Sequence, residues 1–211
     1  MDAKQLLKLA RQASVIPVIV IEKLEDAVPL ANALVAGGLN VLEVTLRSDA
    51  ALDAIRDIAA HVNGAYVGAG TVLDAAQWQA AAKAGSTFMV SPGFTDGIDH
   101  IAKTGTIPWL PGVSSAAEIM RARDAGYTFQ KFFPAEQAGG VPMLSAFAGP
   151  FGDIVFCPTG GVSVANAPAY LALKNVVCVG GSWVVPRDLI AARNWAAITA
   201  LAKAAQKLGS R

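Results

Sequence analysis

Thr128-Phe129-Gln130-Lys131-Phe132-Phe133-Pro134 places a lysine inside a short aromatic run that a proline closes. Aromatic enrichment and the closing proline predict a β-strand that ends in a turn. Because side chains alternate along a strand, Lys131 shares a face with Phe129 and Phe133, which would surround its amine with apolar walls. Burial disfavours the charged form of an amine, so this context predicts a neutral, nucleophilic lysine. The alternative is a lysine that reaches solvent at the strand end or forms an ordinary ion pair.

Outward from this strand, strand-like and helix-like segments alternate along the whole chain. The predicted strands are residues 15–21, 39–46, 65–69, 87–90, 107–110, 128–134, 154–157 and 176–179. The predicted helices are residues 2–12, 24–36, 49–60, 75–84, 97–104, 115–124, 141–148, 165–173 and 195–208. The alternation has no shift in composition that would mark a second domain, so it predicts one domain over residues 1–211.

Strands that alternate with helices in this number favour an α/β fold, a single (β/α)8 TIM barrel with an extra N-terminal helix. An open, doubly wound sheet is the alternative. That fold normally carries a glycine fingerprint after its first strand, whereas this chain has Glu22-Lys23-Leu24 there. A barrel is therefore the leading prediction.

Composition narrows the class of partner. The 211 residues are 54% hydrophobic with a net charge of +1, so no electrostatic footprint for nucleic acid or an anionic membrane is present. The N-terminus lacks the pattern of a signal peptide, and the longest apolar run, residues 15–21, falls short of the roughly 20 residues of a membrane helix. These features predict a cytoplasmic protein that acts on small molecules. Cys157 and Cys178 lie in separate apolar strands and are predicted to be buried and reduced.

Chemistry in a barrel gathers at the carboxyl ends of the strands. At the second strand, Glu43, Thr45 and Arg47 share one face by the period of two. The opposite face, with Val44 and Leu46, suits packing against helices, so Glu43 and Arg47 are predicted to point into the barrel or its mouth. The alternative is a buried Glu43–Arg47 ion pair, which would be a poor source of stability and so would itself suggest function.

The third strand ends at Gly68-Ala69-Gly70-Thr71. No further glycine continues this toward a dinucleotide fingerprint, so we interpret Thr71 as a hydrogen-bond donor for a carboxylate or as part of a simple turn. A structural role suffices for the Pro-Gly turns at Ser91-Pro92-Gly93 and Leu110-Pro111-Gly112.

Paired glycines follow the seventh and eighth strands, in Thr159-Gly160-Gly161 and Gly180-Gly181-Ser182. Glycine lets backbone N–H groups approach an anion, and barrels often bind phosphate at these two loops. The two loops together predict a phosphate site.

Other chemistries find less support. His61 and His100 have no metal-ligand partner at suitable spacing, so no metal or cofactor is expected. No GxSxG serine motif occurs, which leaves Lys131 as the candidate nucleophile. Glu136 is assigned to the first turn of a helix in preference to catalysis.

Several motifs together resemble the 2-keto-3-deoxy-6-phosphogluconate (KDPG) aldolase family over nearly the whole chain. They are Leu-Glu-Val-Thr-Leu-Arg at 42–47, Val-Gly-Ala-Gly-Thr-Val-Leu at 67–73, Lys-Phe-Phe-Pro-Ala-Glu at 131–136, Cys-Pro-Thr-Gly-Gly at 157–161 and Gly-Gly-Ser-Trp at 180–183.

The resemblance implies a class I, Schiff-base aldolase of the Entner-Doudoroff pathway that releases pyruvate and glyceraldehyde 3-phosphate and also acts on 4-hydroxy-2-oxoglutarate. It implies a homotrimer. Lys131 would carry the Schiff base, Glu43 would act as general acid and base, and Arg47 with Thr71 would hold the substrate carboxylate. Phe133 would pack on the pyruvyl part. The implied phosphate ligands are Thr159, Gly160, Gly161, Gly181 and Ser182.

Three alternatives stay open at this point: the aldolase for the galactonate epimer, a phosphate-binding barrel isomerase, and a noncatalytic phosphosugar-binding protein. The epimer's aldolase needs the same lysine. The other two leave Lys131 without a covalent role.

Overall fold

Parallel strands alternate with helices in the computed structural model, which describes residues 1–209. The strands are β1 (Val15–Ile19), β2 (Val41–Thr45), β3 (Tyr66–Gly70), β4 (Met89–Val90), β5 (Trp109–Leu110), β6 (Gly112–Val113), β7 (Phe129–Phe132), β8 (Val155–Pro158) and β9 (Val179–Gly181). The helices are α1 (Ala3–Ala13), α2 (Ala27–Ala36), α3 (Ala51–His61), α4 (Ala75–Lys83), α5 (Asp96–Lys103), α6 (Ala116–Asp124), α7 (Gly140–Phe147), α8 (Ala167–Leu171), α9 (Arg187–Ala191) and α10 (Trp195–Gln206), with 3-10 turns at Leu24–Asp26 and Lys207–Gly209. The predicted α/β alternation and the N-terminal helix are confirmed.

The strands form two parallel sheets. One has the order β5-β4-β3-β2-β1-β9 and the other β6-β7-β8. Only Pro111 separates β5 from β6, so the predicted fifth strand continues past Leu110 into the second sheet. Proline has no N–H to donate to a ladder, which explains the interruption there. The carbonyl of Pro111 still accepts a hydrogen bond from the Lys131 N–H at 2.8 Å.

The eighth predicted strand, residues 176–179, is displaced along the chain. The strand that pairs with β1 is β9, in which Gly180 lies opposite Ile16 and Gly181 opposite Pro17. Gly180 and Gly181, predicted to lie in the loop after the strand, are therefore part of the strand itself. The register with β1 overrides the low strand propensity of glycine.

Two helices also differ from the prediction. The segment predicted as a helix from residue 24 begins as a 3-10 turn, and α2 starts at Ala27. Pro29 cannot donate to the carbonyl four residues earlier, so it is tolerated only in the first turn of α2. The short helix α9 was not predicted, because its five residues are too few to show a helical period.

The core has two layers. The larger layer packs the helices on the outer faces of the strands and includes Val44. The smaller layer, the inner apolar layer, lies on the inner faces of the strands. It contains Leu6, Ala10, Ile16, Val41, Phe88, Val90, Leu110, Phe129, Cys157 and Cys178. Leu6 and Ala10 come from α1, which closes this layer at the amino ends of the strands. Both cysteines are buried free thiols, as predicted.

Over residues 1–209, none of the helices combines the length and the apolar character that crossing a membrane requires.

Candidate active site

Lys131 and Glu43 meet inside the fold. Lys131 Nζ donates a hydrogen bond to Glu43 Oε1 at 3.2 Å, and the two side chains are only 7% and 3% exposed. The lysine is thus neither at the surface nor surrounded by apolar groups alone. Phe133 supplies the predicted aromatic wall, with its ring centroid 5.2 Å from Nζ. Phe129, the other predicted wall, packs in the inner apolar layer toward the amino ends of the strands.

Strand alternation positions Glu43. In β2, Val41 points into the inner apolar layer, and Glu43, two residues later, shares that face one step closer to the carboxyl end. The neighbouring strand makes room for the carboxylate at Gly70. A Cβ at Gly70 would lie 2.2 Å from Glu43 Oε1, so only glycine fits there. The position of the Glu43 carboxylate therefore depends on Lys131 and Gly70, which are both remote from it in the sequence.

Arg47 is held by the same face of β2. Its Nε donates to the Thr45 hydroxyl at 3.2 Å, and that hydroxyl donates to the Ile19 carbonyl at 2.9 Å. Glu43 pairs with Lys131, which makes the alternative Glu43–Arg47 ion pair wrong. The guanidinium is exposed at the mouth of the site. Thr45 is thus a positioning residue for Arg47, a role that its sequence pattern alone does not predict.

Thr71 has a strained backbone. Its φ is +59°, in the left-handed region that β-branched residues rarely adopt. Hydrogen bonds on both sides hold it there: Leu46 N–H donates to the Gly70 carbonyl at 2.9 Å before it, and Val72 N–H donates to the Val90 carbonyl at 3.1 Å after it. Such strain persists where surrounding structure enforces it and is concentrated at functional sites. The strained backbone is consistent with a site role for Thr71, and the simple-turn alternative stays open.

These side chains surround an inner cavity of about 160 Å³. Its lining residues are Val18, Glu43, Thr45, Arg47, Thr71, Pro92, Lys131, Phe133 and Thr159. The structure therefore brings together six of the predicted site residues. Pro92, interpreted from the sequence as part of a purely structural turn, is one wall of this cavity.

An outer cavity of about 370 Å³ adjoins the inner one. Its lining residues are Val18, Val20, Arg47, Ser182, Val185, Pro186, Arg187 and Ile190. Val18 and Arg47 belong to both cavities, so Arg47 lies at the boundary between them. The predicted phosphate residues are divided: Thr159 lines the inner cavity beside Lys131, and Ser182 lines the outer one.

The two glycine loops are neighbours. A β-bridge between Thr159 and Gly180 sets the ends of β8 and β9 side by side. Gly160 and Gly161 have φ values of +99° and +76°, a conformation that favours glycine. Gly181 ends β9, immediately before Ser182.

Glu136 packs against the Gly160–Gly161 loop. It was predicted in the first turn of a helix, but it lies in the turn before α7 begins at Gly140. Its Oε1 accepts a hydrogen bond from Tyr170 Oη, and a Cβ at Gly161 would come within 2.5 Å of Glu136 Cγ. Burial and this hydrogen bond raise the pKa of Tyr170, so the phenol stays protonated as the donor. Glu136 thus supports the Gly160–Gly161 loop and is not among the residues that line the inner cavity around Lys131.

The two histidines are exposed, on α3 and α5. Among residues 1–209, no group of three or more His, Cys, Asp or Glu side chains is arranged to hold a metal ion.

The parallel α/β architecture and the buried amine–carboxylate pair that joins β2 to β7 define an α/β enzyme. The family model for KDPG and KHG aldolase matches residues 6–201. The KHG/KDPG aldolase of Escherichia coli (strain K12) is 55% identical over 191 residues, which is 90% of each chain.

Solved structures agree. A KDPG aldolase from Legionella pneumophila, with pyruvate captured as a covalent carbinolamine, superposes with a TM-score of 0.91 at 46% identity, over 94% of this chain and 96% of that one. The KDPG aldolase of Zymomonas mobilis ATCC 29191 superposes with a TM-score of 0.91 at 50% identity, over 98% of this chain and 97% of that one. A native KDPGal structure is less similar: its TM-score is 0.77 and its sequence identity is 25%, over 90% of this chain and 95% of that one. The chain belongs to the KDPG and KHG aldolase family, and it is an enzyme of the aldehyde-lyase class.

Proposed function

We propose that the protein cleaves KDPG to pyruvate and glyceraldehyde 3-phosphate through a Schiff base on Lys131, and that it also cleaves 4-hydroxy-2-oxoglutarate. The observation that carries this proposal is the buried Lys131–Glu43 contact, which places an amine nucleophile 3.2 Å from a carboxylate. The Legionella relative holds pyruvate as a covalent carbinolamine, which is the first intermediate of such a route.

Schiff-base formation uses the contact directly. Proton transfer from Lys131 to Glu43 leaves a neutral amine, which attacks carbon 2 of the keto acid. A proton moves from the attacking nitrogen to the former ketone oxygen to give the carbinolamine; Glu43, now protonated, donates a second proton to that hydroxyl, and water leaves. The product is an iminium ion between Lys131 and carbon 2. Glu43 is again a carboxylate.

Cleavage follows from the iminium. The Glu43 carboxylate accepts the proton of the carbon 4 hydroxyl, through a water molecule where the distance requires it. The bond between carbons 3 and 4 breaks, and its electron pair moves into the iminium to give an enamine. Glyceraldehyde 3-phosphate leaves with the new carbonyl at former carbon 4. Protonation of the enamine at carbon 3 and hydrolysis then release pyruvate and the free Lys131 amine.

Binding groups flank this chemistry. Arg47 can hold the keto-acid carboxylate in a bidentate contact, with the Thr71 hydroxyl as a second donor. Phe133 packs on the pyruvyl carbons. The proposed phosphate ligands remain Thr159, Gly160, Gly161, Gly181 and Ser182, which lie at or just after the adjoining ends of β8 and β9.

The galactonate epimer's aldolase is the closest rival. The identities of 46% and 50% to solved KDPG aldolases, against 25% to the KDPGal structure, favour the gluconate-derived substrate. An isomerase or a noncatalytic phosphosugar-binding protein would leave the buried Lys131 without a covalent role. A buried ion pair such as Lys131–Glu43 is a weak source of stability compared with apolar packing, which disfavours both alternatives.

A coupled assay tests the proposal. Purified protein is given KDPG, its carbon 4 epimer and 4-hydroxy-2-oxoglutarate in turn, and pyruvate is followed with lactate dehydrogenase and NADH. We expect pyruvate from the first and third substrates, a preference for KDPG over its epimer, and none from Lys131→Ala. A preference for the epimer would reassign the substrate. No pyruvate from any of the three would refute the proposed function.

Two further structural properties belong to this proposal. We infer that the two sheets close into one (β/α)8 barrel, supported by the Thr159–Gly180 bridge and the Lys131–Pro111 hydrogen bond between strands. We propose one domain over the chain, although the last two residues of the predicted range 1–211 lie outside the described residues.

The family resemblance also supports a cytoplasmic homotrimer that serves the Entner-Doudoroff pathway. Leu73 and Met120, which are exposed in the single chain, would suit a subunit contact. Light scattering on the purified protein tests this assembly, and a monomeric mass would refute it.

A further inference from the structure

Arg187 lies at the outer cavity and has no role in the mechanism above. It begins α9, directly after Pro186, and its side chain lines the outer cavity together with Ser182 and Arg47. The two arginines are the only charged residues among those that line this cavity in the described chain. The cavity therefore favours an anionic ligand.

The guanidinium of Arg187 is weakly held in the free protein. Its Nη2 lies 3.8 Å from Glu22 Oε1, beyond hydrogen-bond distance, and the side chains are 84% and 67% exposed. Solvent-exposed ion pairs of this kind contribute little to stability. By contrast, Arg193 contacts both Glu25 and Asp26, and Asp26 is buried. Arg187 is therefore free to exchange its partner at little cost.

The arrangement of the two cavities indicates which part of the substrate Arg187 contacts. A keto acid fixed at Lys131 must extend past Arg47, because Arg47 and Val18 form the boundary between the inner and outer cavities. The distal end of a six-carbon substrate would then reach the outer cavity, where Ser182 and Arg187 lie. A phosphate dianion offers a guanidinium a bidentate, charge-assisted contact, which is far better than the long contact to Glu22.

We propose that Arg187 is a specificity-determining residue that leaves Glu22 and binds the terminal phosphate of the substrate, adding a charged side-chain contact to the site. This inference rests on the proposed function, since it takes the substrate to be a phosphorylated keto acid held at Lys131. Glu22 acts as an internal competitor for the same guanidinium. Its removal should therefore strengthen phosphate capture, which a merely structural salt bridge would not do.

The test compares KDPG with unphosphorylated 2-keto-3-deoxygluconate on three variants. Arg187→Gln is expected to raise KM for KDPG about tenfold, with kcat changed less than about twofold and the unphosphorylated substrate unaffected. Glu22→Gln is expected to lower KM for KDPG. The control is Arg56→Gln, which removes an exposed cation on α3 that pairs only with Asp53 among the contacts described and lies outside both cavities.

Calorimetry with glycerol 3-phosphate keeps the inference testable apart from turnover. We expect Arg187→Gln to weaken its binding and Arg56→Gln to leave it unchanged, even if the wild-type protein released no pyruvate. Equal KM changes for both substrates in Arg187→Gln, or unchanged KM for KDPG and unchanged glycerol 3-phosphate binding, would overturn the role of Arg187. If the wild-type protein released no pyruvate but Arg187→Gln still weakened glycerol 3-phosphate binding, the proposed aldolase activity would be refuted and the role of Arg187 in phosphate binding would stand.

Discussion

Lys131 Nζ and Glu43 Oε1 lie 3.2 Å apart although 88 positions separate the two residues in the sequence. Both side chains are almost fully buried, and as an ion pair they carry no net charge. Burying two opposite charges together is tolerable, whereas removing one of them leaves the other without a partner. The contact thus supplies a direct proton path between nucleophile and base.

Glu43→Gln should slow the chemical step. Glutamine keeps the size of the side chain but neither accepts nor returns a proton, and general acid–base groups typically contribute about a hundredfold or more. Single-turnover kinetics with KDPG measure this step. We expect a fall in rate of that size with little change in substrate binding. A variant within about threefold of the wild-type rate would rule out Glu43 as the acid–base group.

Gly70→Ala should damage catalysis without touching either member of the pair. The new Cβ would stand 2.2 Å from Glu43 Oε1 and force the carboxylate away from Lys131. We expect kcat to approach that of Glu43→Gln. The matched control is Gly93→Ala, since a Cβ at Gly93 would meet nothing within 4 Å. Circular dichroism on both variants separates a displaced carboxylate from unfolding, and a folded Gly70→Ala with normal kcat would contradict the account.

Arg47→Ala should chiefly weaken substrate capture. Its guanidinium lies at the boundary of both cavities, held by Thr45, and a lost charge-assisted contact corresponds to roughly a tenfold to hundredfold rise in KM. Steady-state kinetics and thermal melting on the same preparation distinguish binding from stability. A lower melting temperature with normal KM would show that Arg47 is structural.

Thr71→Gly separates backbone strain from the hydroxyl. Glycine adopts the φ of +59° freely, and the relief of about 1 kcal/mol roughly offsets the greater freedom of glycine in the unfolded chain. We expect a similar melting temperature but a raised KM for the keto acid. Thr71→Ser keeps the hydroxyl and should retain near-normal KM. If both variants bound substrate normally, Thr71 would be a turn residue only.

Much of the site was predictable because its signals are local. A lysine between aromatic residues marks β7, and the alternation of Val44 and Leu46 with Glu43 gives the direction of the carboxylate from a few neighbouring residues. The contact between Lys131 and Glu43 was not predictable, since it depends on how distant strands are arranged. The same holds for the role of Gly70, which is defined by a side chain on the next strand.

Other features were not predicted, because local sequence patterns indicate a different structure or carry no signal at all. Gly180 and Gly181 carry a turn signal, yet their register with Ile16 and Pro17 makes them a strand. Arg187 follows the last predicted strand in a segment too short for a periodic pattern, and only the cavity reveals its position.

Borohydride trapping detects the Schiff base on Lys131 itself. The protein is incubated with pyruvate and sodium borohydride, which reduces an iminium to a stable secondary amine, and the adduct is located by peptide mass spectrometry. We expect one pyruvyl adduct, on Lys131, and none in Lys131→Ala. An unmodified Lys131, under conditions that trap the Escherichia coli relative, would contradict the Schiff-base mechanism.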